Sequence, residues 1–308
     1  MRAFIFPGQG SQSVGMGSAL AGASRAARDV FDEVDEALGQ NLFRLMREGP
    51  DDELKLTENA QPAIMAHSIA VLRTMGIDLA SVATFVAGHS LGEYSALCAA
   101  GSFDLATTAK LLKLRGQAMQ QAVPVGQGAM AALLGADLAL AQRIADAAAQ
   151  GEVCSVANDN DPSQVVISGH KGAIDRAIEL AKEMGAKRAV SLPVSAPFHC
   201  SLMKPAAEAM ADALSYVVVA KPSVPLVANV TAEATSDADT VRNQLVEQVT
   251  GMVRWRESVA NMTKLGVAEF VEVGGKVLGP MVKRISPDAK VTSVVSIEDV
   301  EALAKEIA

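Results

Sequence analysis

The chain has 308 residues, half of them hydrophobic and 20% charged, which is enough to bury a large core and too apolar for global disorder. A formal net charge of −8 argues against broad binding to nucleic acid or anionic membranes. The three cysteines, Cys98, Cys154 and Cys200, form neither a disulfide framework nor a CxxC metal pair, so a reducing cytoplasm is expected.

The opening MRAFIFPGQG reads as a first strand over 3–6, closed by Pro7-Gly8, and not as a leader. No apolar run reaches the roughly 18 residues of a membrane span. Helices are predicted over 18–38 and 60–75. A short buried strand follows at 84–87, ended by Gly88. Residues 90–100 read as an Ala-rich helix, and 104–122 as another that stops before Pro124. This alternation predicts a parallel sheet covered on both faces.

The rhythm changes over 125–197. Strands at 128–134, 154–157, 164–168 and 188–192 alternate with helices at 138–149 and 171–184. The order βαββαβ is the ferredoxin-like unit. It predicts a small subdomain at 125–197 inserted into a larger α/β body made of 1–124 and 198–308. The chain then returns with a helix at 201–215, strands near 224–229 and 268–273, and a glycine turn at Gly274-Gly275.

Gly88-His89-Ser90-Leu91-Gly92 fits G-x-S-x-G, with an apolar strand before it and a helix after it. The glycines permit a tight strand-to-helix turn that lifts the hydroxyl clear, and the free N–H groups of the helix start face developing negative charge. A serine at its ordinary pKa needs a base, and there are four histidines. His89 lies inside the turn and points elsewhere. His67 reads as a helix-face or core residue, and His170 as a turn or helix-start residue. His199 follows a segment stiffened by Pro193 and Pro197, at the re-entry into the large body, and serves either as the base or structurally. No acidic residue stands where a third triad member belongs. A backbone carbonyl fixing the imidazole tautomer can take that place.

The loop Phe6-Pro7-Gly8-Gln9-Gly10-Ser11-Gln12 lacks the Lys of a phosphate-binding loop, and Ser13 stands where G-x-G-x-x-G needs glycine. It is either a plain turn or a way to bring the N–H of Gln9, with that of Leu91, to a reacting carbonyl as an oxyanion hole. Arg115 shares a helical stripe with apolar Leu112 and Met119. A guanidinium there either binds a substrate carboxylate with both prongs of its fork, pairs with an internal acid, or snorkels to water.

The stretches FPGQGSQSVGMG (6–17), TENAQPA (57–63), AGHSLGEYSAL (87–97), RGQAMQQAVPVGQGAMAALLG (115–135), QVVISG (164–169), LPVSAPFHCSLM (192–203) and EVGGKVLGPMVKRI (272–285) occur in order and span nearly the whole chain. With them the sequence resembles the malonyl-CoA:acyl carrier protein transacylases of type II fatty acid synthesis. The resemblance implies an α/β-hydrolase-like large subdomain and a ferredoxin-like small one. It implies transfer of malonyl from malonyl-CoA to the phosphopantetheine thiol of an acyl carrier protein through an ester on Ser90, with no bound cofactor and no metal. Other readings are a malonyl transferase serving a polyketide or malonate decarboxylase carrier, or a serine thioesterase or esterase. By the same resemblance His199 is the base, Gln9 and Leu91 are the oxyanion donors, the Gln248 carbonyl holds the histidine, and Arg115 binds the malonyl carboxylate. Phe198 would narrow the pocket against an α-methyl group. The expected partner is an acidic carrier protein, docked transiently on cations such as Lys276, Lys283 and Arg284 or Lys187 and Arg188. A monomer suffices. The sequence departs from the family in reading Gly-Gly-Lys at 274–276, and in an acidic Asn158-Asp159-Asn160-Asp161 that is not expected to touch the chemistry.

Overall fold

The computed structural model describes residues 1–194 and 196–307. Ser195, within the stiff segment ahead of His199, lies outside the described residues. The strands in chain order are β1 (Arg2–Phe6), β2 (Phe85–Gly88), β3 (Gly128–Leu134), β4 (Cys154–Asp161), β5 (Gln164–His170), β6 (Arg188–Ser191), β7 (Leu226–Val227), β8 (Ala234–Thr235), β9 (Glu269–Val273) and β10 (Lys290–Val294). Six of them form one sheet in the order β10-β9-β1-β2-β7-β8, and the other four a second sheet in the order β4-β5-β3-β6.

Every pairing in the large sheet is parallel except that of β7 with the antiparallel edge strand β8. β1 is apolar throughout because both its faces are covered. Phe4 and Phe6 join the main core against helix Thr57–Met75, while Ala3 and Ile5 join a second cluster around Trp255 on the other face. The small sheet is antiparallel. One of its faces, with Ala131, Leu133, Val165 and Ile167, buries itself under the helices Leu138–Ala149 and Lys171–Glu183. The other face, with Met130, Ala132 and Val166, packs into the main core, so the two sheets share one apolar interior.

The expected α/β class and the βαββαβ order are both present. Several boundaries differ for local reasons. The helix expected over 18–38 breaks at Ser24, whose extended backbone and hydroxyl cap a new helix, Arg25–Leu38, by accepting the N–H of Ala27. The helix after the glycine turn begins at Gly92 and not at 90, because Ser90 is left-handed. β4 runs four residues past 157, to Asp161. The expected strand near 224–229 shrinks to Leu226–Val227. The helix expected over 201–215 is a 3-10 turn, Ser201–Met203, leading into Lys204–Ser215. Helices Ala238–Thr250, Trp255–Lys264, Leu278–Ile285 and Ile297–Ile307, with β10, complete the large body.

β4 ties the two parts together. Asp159 N–H donates to Val253 O at 2.9 Å, and Val253 N–H to Ala157 O at 2.9 Å. Buried Asp159 and Asp161 pair with Arg256 and Arg284 of the large body, each at 2.8 Å. The backbone crossing behind the site is equally close. A Cβ on Gly92 would lie 2.3 Å from Phe6 O and 2.8 Å from Pro7 O. Gly92→Ala is therefore expected to cost about 1–3 kcal/mol and to lower the melting temperature in calorimetry by several degrees. Gly22→Ala, with open space around its Cβ, should leave it unchanged or slightly raised.

Candidate active site

The turn after β2 is an elbow. Ser90 sits at φ 53, a left-handed conformation that a non-glycine residue adopts only under constraint. The constraint comes from two sides. A Cβ on Gly88 would fall 1.9 Å from Gly92 C and O, so only glycine admits this turn. Asn229, just beyond β7, clamps it by accepting the Ser90 N–H on Oδ1 at 2.8 Å and donating Nδ2 to Gly88 O at 2.6 Å.

His199 reaches the elbow from the segment that follows the small sheet. Its Nε2 accepts from Ser90 Oγ at 2.7 Å, while Nδ1 donates to Gln248 O at 2.9 Å and Gly251 O at 3.2 Å. Two carbonyls on Nδ1 fix its proton there and leave Nε2 as acceptor. Both come from the C-terminal end of helix Ala238–Thr250, where the last carbonyls lack helical partners. The imidazole is 4% exposed. Burial first, and the Arg115 cation second, push it down to about 3, so it is neutral near pH 7 and free to take a proton from Ser90.

Arg115 comes from helix Leu105–Ala122 and is 1% exposed. Nη1 donates to Gln61 Oε1 at 2.8 Å, and Nη2 to Gln248 Oε1 at 2.9 Å and Ser90 Oγ at 3.2 Å. The guanidinium also lies over the Tyr94 ring, 5.7 Å from its centroid. Among the described residues it makes no ion pair, and its Nε has no hydrogen-bond partner. The internal ion pair and the snorkelling weighed from sequence are both absent. What remains is a buried cation with spare donors beside a hydroxyl.

These groups line a cleft of about 410 Å³ between the two sheets, with Gln9, Leu91, Met119, Met130, Leu192 and Phe198 around it. The Gly8 backbone rests directly on the elbow: a Cβ there would be 2.7 Å from His89 O. The loop is braced by Ser11 Oγ donating to Gly8 O and by Gly10 N–H donating to Gln12 Oε1. Gln9 and Leu91 both line the cleft beside Ser90. Such a site can open a thioester or ester by attack of Ser90, with a carboxylate on the far end of the acyl group.

Sequence reasoning missed several residues. Gln61 bridges Arg115 and Thr57 Oγ1. Asn229 holds the elbow, and buried Glu93 accepts from both Asn229 N–H and Gln248 Nε2. The segment 158–161 does reach the site: Asn158 lines the cleft, and Asn160 Oδ1 meets His89 Nε2 at 2.8 Å. Its two aspartates turn the other way, to their arginines. Exposed Lys55 stands at the cleft mouth. His67 faces Gly274 O, and His170 accepts the Val153 N–H just before its helix; neither approaches the serine. Among the described residues no cluster of three or more His, Cys, Asp or Glu is placed to hold a metal, and no helix is long and apolar enough to cross a membrane.

A family model described as an acyl transferase domain matches residues 3–278. Malonyl CoA-acyl carrier protein transacylase of Escherichia coli K12 is 46% identical over 284 residues, 92% of each chain. That of Bacillus subtilis is 44% identical over 97% of this chain and 95% of its own. An acyl-carrier-protein S-malonyltransferase from Bartonella henselae superposes with a TM-score of 0.97 at 51% identity over 99% of each chain. A malonyl-transacylase solved with its type II PKS acyl carrier protein gives 0.96 at 40% identity, covering 99% of each chain.

The depressed imidazole has a consequence for stability. Between the unfolded value of about 6.5 and about 3, the unfolded chain binds a proton at His199 and the folded chain does not. Folding stability from this group is therefore full above pH 6.5 and is lost as pH falls. His199→Gln is expected to flatten the acid slope by up to about 1.4 kcal/mol per pH unit, measured by denaturant unfolding between pH 7 and 4.

Proposed function

Because the chain belongs to the acyl transferase family, we propose that it moves malonyl from malonyl-CoA to the pantetheine thiol of an acyl carrier protein, supplying fatty acid synthesis. The observation that carries this reading is Arg115, a buried guanidinium with no carboxylate bonded to it, 3.2 Å from Ser90 Oγ. An acyl group ending in a carboxylate supplies the missing anion, and acetyl leaves the cation unpaired.

In the reaction Ser90 Oγ attacks the thioester carbonyl while its proton passes to His199 Nε2. The oxyanion is held by the N–H groups of Gln9 and Leu91. The C–S bond breaks, His199 returns the proton to the departing CoA thiolate, and malonyl remains on Ser90 as an ester. The carrier thiol then gives its proton to His199 and attacks the ester; the C–O bond to Ser90 breaks, His199 returns the proton to Ser90 Oγ and malonyl leaves on the carrier, so the kinetics are ping-pong. The carbonyls of Gln248 and Gly251 keep the imidazole aimed throughout. Phe198, buried and lining the cleft, narrows it against an α-methyl group in this reading, a preference of about 1–3 kcal/mol. Each step uses protein groups and the two thiols, so neither a metal nor a bound cofactor takes part.

We place the reaction in the cytoplasm, with 125–197 as the small subdomain. The carrier docks on exposed Lys276 and Lys283, which continue the glycine turn at 274–275 close to Pro7. Arg284 is engaged by Asp161 and contributes less. The likeness to a transacylase solved with its type II PKS carrier favours a second reading of the partner alone, in which the carrier belongs to a polyketide system.

Intact-mass spectrometry after brief mixing with malonyl-CoA should show one malonyl adduct, absent in Ser90→Ala, that passes to carrier when carrier is added. Persistence of the adduct in Ser90→Ala would sink the mechanism. Arg115→Ala should lower kcat/KM for malonyl-CoA on the order of 10²-fold or more while sparing acetyl-CoA. Charge reversal at Lys276 and Lys283 should raise KM for carrier and leave KM for malonyl-CoA unchanged; equal effects on both would remove the docking site.

A further inference from the structure

Glu93 is fully buried, three residues after Ser90 in the first turn of helix Gly92–Ala99. A carboxyl enclosed this way is costly unless something uses it. Its Oε2 accepts from Asn229 N–H at 3.0 Å and from Gln248 Nε2 at 2.9 Å, while Oε1 has no partner among the described residues. Its two partners are the residues that hold the two halves of the reactive pair. Asn229 Oδ1 holds the Ser90 N–H, and the Gln248 carbonyl holds His199 Nδ1. Gln248 also donates to Ser90 O at 3.0 Å and accepts from Arg115 at 2.9 Å.

We propose that Glu93 is a positioning residue for the acyl transfer: one carboxylate oxygen locks Asn229 and Gln248 together, and so sets nucleophile against base, while its charge offsets that of Arg115 beside them. The proposal rests on Ser90 and His199 acting as described. The charged and titratable groups facing Glu93 are Arg115, from helix Leu105–Ala122, and Tyr94 on its own helix. The partners offered by helix Ala238–Thr250 and by the segment after β7 are the neutral Gln248 and Asn229. Burial raises the Glu93 carboxyl to about 7, against the pull of its hydrogen bonds and of Arg115. Protonation removes the countercharge near neutral pH, leaving the Arg115 cation unopposed beside Ser90 and His199. Burial and Arg115 push His199 well below its usual range, so a limb near neutral pH that vanishes in Glu93→Gln is assigned to Glu93 and not to the base.

The test is the rate of Ser90 labelling by phenylmethanesulfonyl fluoride, a neutral probe, followed by intact mass from pH 5.5 to 8.5. The native rate is expected to fall about tenfold from a high-pH plateau to a low-pH one as pH drops, with a midpoint near 7. Glu93→Gln keeps an acceptor oxygen without the charge, so its rate should be flat near the native low-pH plateau. Glu93→Leu removes the acceptor as well. It should label about 100-fold slower than the native chain at pH 8.5 and lower kcat for malonyl transfer with KM for malonyl-CoA within about threefold. Glu93→Gln partly rescues that loss. A native limb near 7 that survives in Glu93→Gln, or a native chain with no such limb, would overturn the role of Glu93. Absence of Ser90 labelling in the native chain at every pH would instead overturn the reading of the serine and histidine.

Discussion

A full positive charge enclosed without a bonded counterion organises this molecule. Arg115 is held by neutral oxygens from Gln61, Gln248 and Ser90 and by the Tyr94 ring, with the nearest acid, Glu93, one residue removed behind Gln248. Such an arrangement is unfavourable in an apolar interior, and the surroundings are built to hold it. Burial lowers the guanidinium's own pKa, with Tyr94 and Glu93 opposing, and burial first, with the cation second, keeps His199 unprotonated. The binding of an acyl carboxylate and the basicity of the imidazole are thereby linked through one side chain.

The constraint extends into the backbone. Ser90 and His199 both adopt left-handed conformations, at φ 53 and 57, and each is held by groups distant in sequence. Asn229 follows a two-residue strand, and the two carbonyls on His199 come from the end of a helix. Strain of about 1–3 kcal/mol per residue is thus maintained by packing elsewhere, with glycines at 88 and 92 giving the elbow its room.

Much of this was legible in the sequence. The elbow was readable because Gly88 and Gly92 bracket Ser90 between a short apolar strand and a helix. The small sheet was readable because strand and helix periods alternate cleanly over 128–191. Ser90 Oγ lies 2.7 Å from His199 Nε2, and Gln248 O lies 2.9 Å from His199 Nδ1. Other parts were hidden for physical reasons. Helix Ala238–Thr250 carries buried Gln244 and Gln248 on its inner face, so its apolar stripe is broken where function needs polar groups. Its Asp237 cap was the available signal. Glu93 and Asn229 look like ordinary surface polar residues until the fold buries them. The acidic segment 158–161 was not expected to touch the chemistry, yet Asn158 lines the cleft and Asn160 meets His89, while Asp159 and Asp161 are taken up by Arg256 and Arg284.

β4 is irregular where it meets the site. Its pairing with β5 shifts register between Val156 and Asn158 and again between Asp159 and Asp161, so the simple two-residue period of a strand is broken at both places. Such irregularities re-aim side chains: Asn158 and Asn160 face the cleft and the elbow, while Asp159 and Asp161 face structural cations. Deleting one of the extra residues would regularise the pairing and turn part of this segment over, bringing a carboxylate towards the cleft, where it would repel an anionic acyl group.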